Sequence, residues 1–149
     1  MTNQEIEQLK SLATFNQEKL DQVIEQAKAG YETSQNFVFQ NPGEMLREIQ
    51  KLYTLGYEPT SRYTHQFVLP AFYSVWLTKP LSTQQSELVD VMTQAEAAYR
   101  RDLEVYKAQW LEAAAQALLD AEEAKQSQAA QLKKDKRLAE ITNQIKGTI

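Results

Sequence analysis

Few residues in this chain suit acid–base or covalent chemistry. His65 is the only histidine among 149 residues, and an imidazole base would need a nucleophile such as Ser61, Ser74 or Ser82 folded against it. None of these serines lies in a nucleophile elbow, a phosphate loop or an HExxH pattern. The chain has no cysteine, which excludes disulfides, thiolate zinc sites and thiol nucleophiles. Glu122 and Glu123 are neighbours on a helical stretch and diverge in direction, a poor start for a calcium or two-metal site. The inventory predicts a non-enzymatic protein with no cofactor and no metal.

Base stacking beside cations has more material. Arg62, Tyr63, His65, Trp76 and Lys79, with Tyr57 and Phe67, gather in one segment and could stack unpaired bases while contacting phosphates. The same segment also holds Val68, Leu69, Val75 and Leu77, and aromatics clustered with aliphatics more often form a core. The basic run Lys133–Arg137 is interrupted by Asp135 and followed by Glu140, which reads as a solvated helix face. A net charge of -4 and a pI near 5.1 provide no overall field toward nucleic acid or an anionic membrane. Nucleic-acid binding is therefore the lesser reading. The larger one is recognition of protein through large side chains on a helix: Tyr99, Tyr106 and Trp110 in one row, and Leu138, Ile141 and Ile145 in another.

These residues are positioned by elements whose limits are written in local signals. Thr2-Asn3-Gln4-Glu5 fits a capping box. The apolar stripe Ile6, Leu9, Leu12 or Ala13, Leu20, Val23, Ile24 and Ala27 then predicts one helix up to a left-handed Gly30, with a second capping box at Thr14–Gln17 as the alternative that would split it. A short aromatic link with Phe37 and Phe39 follows. Asn41-Pro42-Gly43-Glu44 opens a second helix, lined by Met45, Leu46, Ile49, Leu52 and Tyr53 and stopped by Gly56. Residues 57–80 form an aromatic connecting segment. In it Tyr63, His65, Phe67 and Leu69 alternate like a strand, Pro70 interrupts, and Ala71 to Thr78 fits either a strand or a short buried helix.

From Ser82-Thr83-Gln84-Gln85, a further capping box, no Gly or Pro intervenes before Gly147. One helix over that span would reach about 95 Å. Its stripe runs Leu88, Met92, Ala95, Tyr99, Leu103, Tyr106, Trp110, Ala113, Ala117, Ala121 and Ala124. An eleven-residue recurrence links Leu88, Tyr99, Trp110, Ala121 and Leu132, which keeps a seam on one face of a nearly straight helix, with a coiled coil as the related packing. Small alanines replace large side chains after Ala113, and 126–149 reads as a projecting helical tail. Such a tail is not stable alone, because helices in water depend on tertiary contacts.

A hydrophobic fraction of 42% with 24% charged residues is a globular balance, expected here as a single domain over 1–149. The fold class predicted is mainly α, a helical bundle with a long C-terminal helix and a short aromatic extended or β-hairpin-like segment. The polar, acidic start lacks secretory features and no run approaches the roughly 18 apolar residues of a membrane span, so a cytoplasmic protein with no membrane partner is expected. In its Gln- and Ala-rich, cysteine-free helical composition the chain resembles phage and mobile-element proteins. That resemblance implies a virion component or assembly factor, in host cytoplasm or virion, or else an inhibitor docking on a host enzyme or nucleic-acid machine. The function expected is protein binding, scaffolding or assembly, with a homo-oligomer as one form of partner.

Overall fold

A computed structural model describes residues 1–60, 67–69 and 72–149. In chain order the elements are α1 (Asn3–Ala13), α2 (Gln17–Ala29), β1 (Ser34–Phe39), α3 (Pro42–Thr54), β2 (Glu58–Pro59), β3 (Phe67–Leu69), β4 (Phe72–Thr78) and α4 (Leu81–Lys146). The protein is mainly α with a long C-terminal helix and a small antiparallel sheet, as the sequence pattern predicts. It divides into two compact units. One joins Met1–Phe15 to Arg101–Ile149, and the other is Asn16–Arg100.

In the first unit, α1 begins with the predicted capping box. The Thr2 amide donates to Glu5 Oε2 at 2.6 Å and the Glu5 amide to Thr2 Oγ1 at 3.3 Å. The single helix expected up to Gly30 is not formed. Thr14 is extended (φ -89°, ψ 129°) and Asn16 caps α2, its Oδ1 accepting from the Lys19 amide at 3.2 Å. The break thus lies where a second cap was the alternative, but Asn16 makes it rather than Thr14. Gly30 ends α2 in right-handed conformation at φ -81°, so its stop is not left-handed.

The second unit holds the sheet, with β4 at its centre. β1 runs antiparallel to β4 from Ser34 opposite Thr78 to Phe39 opposite Tyr73. β2 pairs with the C-terminal end of β4 and β3 with its N-terminal end, both antiparallel. From Phe72 to Thr78 the stretch with two readings is a strand, in keeping with the aromatic and β-branched residues that fit a pleated surface. The aromatic link at Phe37 and Phe39 is a strand as well. Pro59 is tolerated in β2 because a two-residue edge strand can dispense with its N–H. The expected strand over Tyr63 and His65 falls, with Arg62, outside the described residues; its Phe67–Leu69 end is β3. Leu20, Phe39 and Leu77 are buried apolar residues of this unit, Leu77 being only 1% exposed. Buried Ser74 donates to Asn36 Oδ1 at 2.6 Å and Ser34 to Thr60 Oγ1 at 3.4 Å.

α3 starts as predicted, with the Glu44 amide donating to Asn41 Oδ1 at 2.8 Å and Pro42 in the first turn. It closes in a Schellman motif: the Gly56 amide donates to the Tyr53 carbonyl and the Tyr57 amide to the Leu52 carbonyl, with Gly56 at φ +97°. A Cβ at Gly56 would also lie 3.3 Å from Pro80 Cβ. Gly56→Ala is accordingly expected to cost about 1 kcal/mol or somewhat more, read as a lower urea midpoint at unchanged m-value.

α4 is one unbroken helix of 66 residues. It starts at Leu81, a residue before the predicted capping box. Ser82 therefore sits inside the helix rather than capping it; the Gln84 amide closes the first helical turn on the Pro80 carbonyl, and Gln84 Nε2 donates to the Lys79 carbonyl at 2.7 Å. The predicted stripe is half-buried or better from Leu88 to Ala117, apart from Met92. Beyond it, every residue from Leu118 to Ile149 is exposed, including Ala121 and Ala124.

Candidate functional site

A half-buried polar cluster lies at the junction of β4 and α4. Lys79 Nζ reaches Glu87 Oε2 at 2.8 Å and lies 5.0 Å from the centre of the Tyr31 ring. The Tyr31 hydroxyl donates to the same carboxylate oxygen at 2.5 Å. The Lys79 amide also donates to the Thr33 carbonyl at 2.9 Å. Its hydrogen bond to Glu87 raises the Lys79 pKa. Burial and then the hydrogen bond to Glu87 raise that of Tyr31. Glu87 is held below the usual carboxylate range by Lys79 and Tyr31.

The signs fix a pH dependence. A Lys79 pKa raised above its unfolded value stabilises the fold below about pH 10.4 and loses that contribution as pH climbs through the higher folded value. Tyr31 acts in the same direction, since folding favours its protonated form. Glu87 contributes above about pH 4.3 and loses its contribution as pH falls through its lower folded value. The urea midpoint is expected to decline on both sides, and Lys79→Met to flatten the alkaline decline while lowering the neutral plateau. An alkaline limb of equal depth in both proteins would contradict this. A lysine held this way, with a side chain 14% exposed, has little of its charge left for a phosphate. Its neighbour in the nucleic-acid set, Trp76, is half-buried in β4 opposite Asn36.

The row of large side chains on α4 divides between the units. Tyr99 is half-buried, and its hydroxyl accepts from the Asn16 amide at 3.0 Å and donates to the Asn16 carbonyl at 3.2 Å. It thereby holds the start of α2. Tyr106 is half-buried in the other unit. Trp110, with Lys107 and Leu111, faces Lys10, Ala13 and Thr14 of the α1 end, and Ala13 is 7% exposed.

Further along the same helix pair lies an open groove of about 360 Å³. Met1, Ile6 and Leu9 form one wall and Ala113 and Ala117 its floor, with Glu112 and Asp120 on the α4 rim. The groove follows from side-chain size, because alanines in α4 leave room that leucines would fill. Ile6 and Leu9 were visible as an apolar stripe. That they meet alanines more than a hundred residues away was not.

The tail carries the other predicted row. Leu138 is 65% exposed, Ile141 38% and Ile145 57%, and Leu132 before them is 63% exposed. Such a row on one helix matches what partner recognition through apolar anchors requires. Among the described residues no three His, Asp or Glu side chains come together as a metal-binding group, and no helix is long and apolar enough to cross a membrane. Comparison with known protein families, with characterised proteins and with solved structures gives no match.

Proposed function

We propose that this is a non-enzymatic binding protein of the scaffolding or assembly type, whose working surface is α4 beyond Ala117. The observation that carries this is the unbroken exposure of Leu118–Ile149 in a helix that still bears Leu132, Leu138, Ile141 and Ile145. A helix of that length gains stability chiefly by packing an apolar face. Exposed apolar anchors at three- and four-residue spacing fit a helical or grooved protein surface. The mobile-element type of composition agrees with an assembly role.

The test is a triple variant, Leu138→Gln, Ile141→Gln and Ile145→Gln. Glutamine keeps helix propensity and these side chains touch little in the single chain, so melting of the two folded units should be unchanged. The set of proteins retained from the native host by the wild-type chain, its own copies included, should be lost by the variant. Retention of the same set by both proteins would remove the reading.

A further inference from the structure

We propose that the exposed half of α4 pairs antiparallel with the same segment of a second copy, about a two-fold axis near Gln128, so that each copy's Leu138–Ile145 row covers the other's alanine-floored groove. This rests on the reading of α4 as a protein-binding surface and names its partner.

The first argument is charge. Between Ala108 and Ala124 the helix carries Glu112, Asp120, Glu122 and Glu123 and no cation. From Lys125 to Lys146 it carries six cations against two carboxylates. Both of those carboxylates are engaged locally: Asp135 accepts from Gln131 at 3.0 Å, and Glu140 pairs with Arg137 at 3.3 Å. Elsewhere α4 interleaves its charges in pairs such as Glu96–Arg100 and Glu104–Lys107. Among the described residues Glu122, Glu123, Lys133, Lys134 and Lys136 have no ion pair, and the two signs are segregated along the helix.

Segregation of this kind selects an orientation. With Gln128 level with itself, the acidic stretch Asp120–Glu123 of one copy lies alongside the basic stretch Lys133–Lys136 of the other. Leu138, Ile141 and Ile145 then lie level with Leu118, Ala115 and Leu111 of the other copy, and they share a side of the helix with Ala113 and Ala117 rather than with Leu111 and Leu118. A parallel pair would set carboxylates against carboxylates and lysines against lysines, which opposes that arrangement.

The second argument is reach. Since α4 is continuous, its own Leu138 lies about 30 Å along the axis from its Ala117 and cannot enter the groove it helped to form. Another copy's Leu138 can. A two-fold pairing makes both grooves equivalent and closes the assembly at two chains. The overlap, Leu111 to Ile145, is about 50 Å of helix on each side.

The chain has no cysteine, so single labels can be placed cleanly in the full-length protein. Spin labels on Gln128→Cys should lie within about 20 Å of each other in the dimer, and those on Gln144→Cys about 50 Å apart, twice the sixteen-residue rise from the axis. A short distance at both positions means a parallel pair and overturns the proposal. The reversals Glu122→Lys with Glu123→Lys, or Lys133→Glu with Lys134→Glu, should each weaken dimerisation about tenfold or more at low salt, and combining all four should restore it. Dimerisation indifferent to these reversals would also overturn it. So would a monomer throughout a light-scattering series reaching high micromolar concentrations. In that event, host proteins lost by the triple glutamine variant would still support the broader binding role, whereas equal capture by both proteins would end both.

Discussion

Leu77→Ala is expected to lower the stability of the sheet-containing unit by about 2–5 kcal/mol, the range for removing a buried leucine side chain. Leu77 is 1% exposed and sits in β4, where Gln35 and Pro59 oppose it on two neighbouring strands. Every other strand of the sheet pairs with β4, so a cavity at this position weakens the element through which the rest are joined. Few side chains here are fully buried, which leaves little surrounding core to share the loss. The measurement is urea denaturation, with the midpoint of the sheet-containing unit falling. A cost below about 1 kcal/mol would mean that the site collapses around the smaller side chain.

Trp110→Ala should act on the other unit and more locally. The indole faces Ala13 and Thr14 at the end of α1, and Ala13 and Leu103 are the buried apolar residues of that unit. Trp110 is half-buried, so the loss is set below the range for a fully buried tryptophan, at about 2 kcal/mol. An isolated helix of eleven residues is marginal in water. Undocking α1 therefore means unfolding it, and hydrogen exchange at the amides of residues 6–13 should accelerate by roughly 30-fold, the factor equivalent to 2 kcal/mol. The sheet unit should be unaffected. Unchanged α1 protection together with lost partner binding would make Trp110 an anchor for another molecule instead.

Local signals made much of this fold readable. Thr2 with Glu5, Asn41 with Pro42, and Gly56 each act through bonds spanning three or four residues, and each appears where its pattern stands. The break after α1 was harder. The stripe through Leu12, Ala13 and Leu20 argues for continuity, whereas Asn16 is fixed partly by the Tyr99 hydroxyl, 83 positions away. The sheet was obscure for the same reason. Ser34–Phe39 shows no clean alternation, and its partner strand begins more than thirty residues later, so pairing had to be decided by tertiary contact. In the candidate surface, Leu138, Ile141 and Ile145 announce themselves by spacing. The groove does not, being a property of two helices together, and neither does the Tyr31–Lys79–Glu87 cluster, assembled from a loop, a strand end and a helix.

The docking of α1 on the far part of α4 also orders events during synthesis. α1 is made about a hundred residues before the residues it packs against, Trp110 to Asp120, a delay on the order of 5–20 s. Throughout that interval Ile6 and Leu9 belong to a segment too short to hold its own helix. A ribosome stalled between α1 and Trp110 would therefore carry an α1 segment with nowhere to fold.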